Sequence, residues 1–177
     1  MASSSSTITT KPTTEPTKAK EEPEPAKPTT LAEMSEHIDS ATFEQILEMD
    51  EEGEHDFSQS IVYGFFDQAK TTFDNMDTAL KEKKLSELSS LGHFLKGSSA
   101  TIGLTKVKDA CEKIQHYGAG KDESGTTDEP DEEKSLKKIG ETIETAKKDY
   151  EEVEAFFRRY FGEEEPPAEK KEEKKDS

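Results

Sequence analysis

Between Leu136 and Tyr160 the apolar residues Leu136, Ile139, Ile143, Ala146, Tyr150, Val153, Phe157 and Tyr160 follow one another at alternating steps of three and four. That spacing returns every one of them to a single face of an α-helix with about 3.6 residues per turn. It does not suit a strand, whose side chains alternate with a period of two. An amphipathic helix of this length draws its stability from elements that cover its apolar face. The rest of the chain has to supply them.

Three further stretches carry a matching pattern. Val62, Phe66, Ala69, Phe73, Met76 and Leu80 line a long helix that runs from a capping box at Asp56 and Gln59 to about Lys83. Leu88, Leu91, Leu95 and Ile102 line a second, Leu85 to Ile102, which Gly103 closes as a left-handed cap. Leu104, Val107, Cys111 and Ile114 mark a third, ending at Gly118 and Gly120. Ahead of these, Asp39 or Ser40 caps a short helix with Phe43, Ile46, Leu47 and Met49 on its apolar side, stopped around Gly53. This short helix is expected to cover part of Phe57, Ile61 and Phe65, which lie beside the stripe of the first long helix. The expected fold is all-α, an antiparallel four-helix bundle with an additional short N-terminal helix.

The bundle accounts for residues 31–162, with a polar loop at 119–131. Residues 1–30 are built from Ser, Thr, Pro, Lys and Glu, and residues 163–177 are almost wholly charged. Neither can bury enough surface to offset the entropy of ordering, so both are expected to be disordered tails. The chain's 29% hydrophobic and 37% charged content agrees with such an arrangement.

A net charge of -17 argues against binding nucleic acid, which needs a surplus of Lys and Arg to neutralise phosphates. It equally disfavours an anionic membrane surface. No stretch approaches the 18 or so consecutive apolar residues of a membrane span, and no apolar secretory segment opens the chain. With a single cysteine there is no internal disulfide framework, and a reducing cytoplasmic or nuclear setting is expected.

One histidine stands out. With His93 at zero on a wheel of about 100° per residue, Leu88, Leu91, Leu95 and Ile102 fall at roughly 160° to 220°. His93 therefore faces solvent. Ser86, Ser89, Ser90, Gly97 and Ala100 all fall within about 60° of it, a surround of small side chains. Glycine inside a helix costs roughly 1 kcal/mol relative to alanine, and close approach of another surface is the natural reason for Gly97. Lys96 lies about one turn along, where its ammonium can reach a negative group carried on the ring. Histidine, with an ordinary pKa of about 6.5, offers a neutral nitrogen nucleophile at cellular pH. These features suit a phosphoryl acceptor. The plainer alternative is a polar surface histidine.

The other candidates are weaker. His37, His55 and His116 sit near helix ends in polar surroundings and are read as structural or incidental. The run from Met49 to Glu54 lacks the ligand order and length of a calcium-binding loop and is read as a solvated acidic stretch. Cys111 lies on an apolar stripe, where packing is the default. There is no Gly-rich phosphate loop, so ATP binding has no support.

The run from His93 to Gly103, HFLKGSSATIG, resembles the signature of histidine-containing phosphotransfer domains. The wider segment from Asp56 to Tyr117, with DFSQSIVYGFFDQAKTTF, LGHFLKGSSATIGL and ACEKIQ, is similar to the fungal phosphorelay intermediates that link hybrid sensor kinases to response regulators. What the resemblance implies is a phosphoryl carrier without autonomous kinase activity, whose partners are the receiver domain of a hybrid histidine kinase and the receivers of response regulators. His93 would be the phosphoacceptor and Lys96 would neutralise the phosphoryl group. Gly97 and Ser98 would permit close approach, and Gln68 would hydrogen-bond near the imidazole. Ile46, Met49, Ile61, Phe65 and Phe94 would form an apolar docking patch, with Gln115 near it. The chain itself would hold no metal or cofactor, Mg²⁺ coming with the partner receiver, and it is expected to be a monomer. The 119–132 loop is short beside its relatives and the N-terminal arm long, which bears on the choice of partner. Two rivals remain: a helical adaptor whose histidine is a bystander, and a small enzyme using His93 as a general base. The second needs an orienting carboxylate, and only Glu87 lies at the margin of that face.

Overall fold

The computed structural model describes residues 30–162. A 3₁₀ turn, Ala32–Met34, is followed by five α-helices: α1 (Ser40–Leu47), α2 (Asp56–Lys81), α3 (Leu85–Thr101), α4 (Thr105–Gly118) and α5 (Glu132–Tyr160). Helices α2 to α5 pack in a ring, α2 on α3, α3 on α4, α4 on α5 and α5 on α2, while α1 packs against α2. This is the expected four-helix bundle with its additional short helix. The expected tails lie outside the described residues apart from Thr30.

The apolar stripes become the core. Val62, Phe66, Ala69, Phe73 and Met76 from α2 are buried, as are Leu88 and Leu95 from α3, Val107, Cys111 and Ile114 from α4, and Leu136 through Phe157 of the α5 series. Leu80 is half-buried and Tyr160 partly covered. The Phe43 ring of α1 packs tilted against Phe157 at 4.9 Å and meets Tyr160 edge-on at 6.2 Å, so α1 adds a layer over the C-terminal end of α5. Phe156, one step off the simple spacing, is buried there too. Each such side chain contributes roughly 1.5–3 kcal/mol by leaving water.

The leading segment is pinned to the turn between α3 and α4. The Asp39 amide donates to Gly103 O at 2.7 Å, the Thr105 amide donates to His37 O at 3.0 Å, and the Thr105 hydroxyl donates to Glu36 O. Gly103 takes a φ of 81° and closes α3 as its position implies.

The start of α2 differs from the expected capping box. Asp56 is the first helical residue, and His55 occupies the cap position with no side-chain bond to the helix backbone. The capping carboxylate is that of Asp50, which accepts from the Ser58 amide at 2.8 Å and the Ser58 hydroxyl at 2.6 Å. Only 4% of the Asp50 side chain is exposed, so the acidic run from Met49 to Glu54 is not wholly solvated. Burial pushes the Asp50 carboxyl upward, but the Ser58 bonds and the adjoining His55 ring outweigh it and hold it below the usual carboxylate range.

Helices α3 and α4 meet at two glycines. A Cβ on Gly92 would stand 2.8 Å from both Cys111 O and Gln115 N, and one on Gly118 would stand 2.6 Å from Ser89 N and 2.7 Å from Leu85 O. Backbone thus lies against backbone beneath the histidine face. The Ser89 hydroxyl crosses the seam to Gln115 O at 2.9 Å.

Candidate functional site

His93 is exposed on α3, and it makes no hydrogen bond or ion pair with any described residue. Leu88 and Leu95 are fully buried, Ile102 nearly so, and Leu91 packs half-buried against the core. The ring therefore points outward as the wheel requires. Ser86, Ser90, Gly97 and Ala100 are exposed around it. At Gly97 a Cβ would meet nothing within 4 Å. One member of the small-residue surround is used otherwise: Ser89 is half-buried, its hydroxyl committed to α4.

Lys96 leans towards α4, with Nζ 3.9 Å from the Glu112 carboxylate, and its side chain is 28% exposed. On the α2 side the Ser98 hydroxyl donates to Gln68 Oε1 at 3.0 Å. With its amide oxygen turned to Ser98, Gln68 keeps its Nε2 hydrogens as donors. Gln115 sits half-buried at the α3–α4 seam with its Oε1 buried and unpartnered among the described residues. Lys96 thus pairs across to α4, and Ser98 of the same helix pairs across to α2.

Three large apolar side chains are exposed among the described residues: Met49 at 65%, Phe94 at 49% and Phe57 at 38%. Ile46 of α1 and Ile61 of α2, expected in the same apolar surface, are half-buried. Phe65 does not belong to this surface. It is 4% exposed, with its ring 6.2 Å from Tyr150, because its position on α2 turns it between the bundle helices. Partial covering by α1 is expected for Phe57, Ile61 and Phe65; Phe57, at 38%, is the most open of the three. Its place off the main stripe of α2 was the available signal.

The remaining candidates are structural. His37 Nε2 pairs with Glu152 at 2.9 Å and ties the leading segment to α5. His55 Nδ1 lies 3.2 Å from Asp50. His116 Nδ1 lies 2.8 Å from Glu123 O and shapes the α4–α5 loop. That loop is polar but ordered around Asp122, whose Oδ1 accepts from the Ser124 hydroxyl and from the amides of Gly125, Thr126 and Thr127. Cys111 is fully buried, and burial pushes its thiol up to about 12. No group of three His, Cys, Asp or Glu side chains among the described residues is arranged to hold a metal ion, and no described helix is long and apolar enough to cross a membrane.

An all-α bundle that offers a solvent-facing imidazole without a partner among the described residues, with a lysine and open space a turn away on the same helix, is a histidine phosphotransfer scaffold. The comparisons agree. The Hpt domain model matches residues 61–155, and the chain belongs to that family. Multistep phosphorelay regulator 1 of Schizosaccharomyces pombe is 44% identical over 124 residues, which cover 70% of this chain and 42% of that protein. Phosphorelay intermediate protein YPD1 of Candida albicans is 53% identical over 81 residues, 46% of this chain and 44% of the relative. The chain thus spans less than half the length of these two relatives. Among solved structures, the Saccharomyces cerevisiae histidine phosphotransfer signaling protein Ypd1, in co-crystal with the receiver domain of its downstream response regulator Ssk1, superposes with a TM-score of 0.61 at 26% identity, covering 78% of this chain and 99% of that one.

Proposed function

We propose that this protein is the histidine phosphotransfer intermediate of a multistep phosphorelay. It accepts a phosphoryl group on His93 from the aspartyl phosphate of a hybrid sensor kinase's receiver and passes it to a receiver aspartate of a response regulator. In the forward step the lone-pair nitrogen of His93 attacks phosphorus. The bond to the aspartyl oxygen breaks, and its electron pair returns to the carboxylate. The second transfer reverses the roles. Such chemistry is limited by positioning and charge neutralisation rather than by proton transfer, which suits an imidazole with no carboxylate against it. The reading gives the chain no kinase activity of its own. Mg²⁺ would enter with the receiver, where the second phosphoryl-binding half of the site is built.

Within this reading Lys96 neutralises charge on the phosphoryl group. Gly97 and Ser98 admit the partner backbone, and Gln68 turns its Nε2 donors towards the approaching site. Gln115 lies at the seam below. The docking surface is Met49, Phe94 and Phe57 together with Ile46 and Ile61. Residues 31–162 act as one relay unit and a monomer, at home in cytoplasm and nucleus.

The exposure of His93 beside the vacant space at Gly97 is the observation that carries the proposal. The test is incubation of the full chain with a phosphorylated receiver domain and Mg²⁺. The expected product is an acid-labile, alkali-stable phosphate on the chain that disappears in His93→Gln, while the unfolding midpoint stays near the parental value. A parental chain that never acquires such a phosphate would leave the helical adaptor as the better description.

A further inference from the structure

We infer that Glu112 is a positioning residue for the relay, holding Lys96 away from the phosphoryl group so that phosphate on His93 is readily passed on. The inference rests on the function proposed above. Lys96 is the only Lys or Arg of α3, and its one ion-pair partner among the described residues is Glu112 of α4, at 3.9 Å. The neighbouring cations of α4 are engaged elsewhere, Lys108 with Asp109 and Lys113 with Glu123. A phosphoryl group arriving on His93 therefore finds one cation on its own helix, already shared with a carboxylate. To serve the phosphoryl oxygens, Lys96 must give up part of its attraction to Glu112.

The consequence concerns equilibrium more than rate. A fully committed lysine stabilises phosphohistidine relative to the receiver's aspartyl phosphate, and phosphate then stalls on the carrier. A lysine shared with Glu112 raises the phosphorylated form towards its transfer partners. The imbalance is modest, because Glu112 is 44% exposed and surface ion pairs are weak. A relay intermediate needs no more than that, since transfer has to run in both directions between chemically similar partners.

The experiment measures the ratio of phosphohistidine to receiver aspartyl phosphate at equilibrium, with the full chain, a receiver charged by acetyl phosphate, and Mg²⁺. Glu112→Gln should shift the ratio towards the histidine by about two- to fivefold, the size of one surface ion pair. The shift should largely vanish at 1 M salt, where the screening length is about 3 Å. In a Lys96→Gln background the same change should have less than half that effect, a result that a merely structural role for Glu112 does not produce. An unchanged ratio in Glu112→Gln, or a full shift surviving without Lys96, overturns the inference while leaving the relay intact. A parental chain that takes up no phosphate removes the relay and the inference together.

Discussion

A nucleophile that a second protein must reach needs neighbours that are small enough to stand aside and polar enough to hold a charge. In the proposed relay these demands fall on different residues around His93: Gly97 would supply room, Lys96 charge, and Gln68, its oxygen held by Ser98, a hydrogen-bond donor. Gly97 is the sharpest case, because nothing in the fold itself requires glycine there. Its surroundings are open, and its φ is not positive. Gly97→Ala should therefore stabilise the bundle by up to about 1 kcal/mol, the cost of glycine inside a helix, as read by denaturant unfolding. Gly97→Gln should fold equally well and slow receiver transfer by at least about tenfold, since an ångström of misplacement costs on the order of a hundredfold. Parental transfer rates in Gly97→Gln would show that the open space serves no approach.

At the scale of elements, glycine has the opposite meaning on the hidden side of the α3–α4 seam. Gly118 lies against the backbone of Ser89 and Leu85, and a methyl group there needs one helix to move. Gly118→Ala should destabilise the fold by about 1–3 kcal/mol, the usual range for overpacking, where propensity alone predicts a gain. The helices were legible because three-and-four spacing is a local property of the chain. This contact was not: Gly92 carries no local signal separating a close helix crossing from a surface gap. The start of α2 was misread for a related reason. Asp56 and Gln59 satisfy the local pattern, whereas the carboxylate that caps the helix, Asp50, comes from before the turn. Its depressed pKa fixes a sign. The stabilisation is fully present above the ordinary aspartate pKa of about 3.9 and is lost as pH falls through the lower folded-state value. Asp50→Asn should accordingly weaken the fold by about 1 kcal/mol at neutral pH, the scale of a lost helix cap, and the gap to the parental protein should close in acid. A gap that stays constant from pH 7 to pH 2 would contradict the capping role.

For the molecule as a whole, the candidate site is assembled from two bodies with different anchorage. His93, Lys96, Gly97 and Gln68 stand on the ring of long helices, whereas Ile46 and Met49 arrive with α1, which touches the ring mainly through α2 and Phe43. The sequence exposed most of this surface. It misplaced Phe65, because α2 is covered on more than one side and a single wheel does not say which neighbours cover it. The division leads to a test at the scale of the fold. Phe43 is fully buried between α1 and the Phe157–Tyr160 end of α5, so Phe43→Ala leaves a cavity where the two bodies join. Unfolding free energy should fall by about 3–5 kcal/mol, as for other buried phenylalanines, with the denaturant slope unchanged, since α1 and the bundle unfold as one unit. Receiver affinity should fall as well, because the seating of Ile46 and Met49 depends on that ring, even though Phe43 itself is inaccessible to any partner. If Phe43→Ala lowers stability while receiver affinity holds at the parental value, α1 contributes only to the core, and docking rests on α2 and α3 alone.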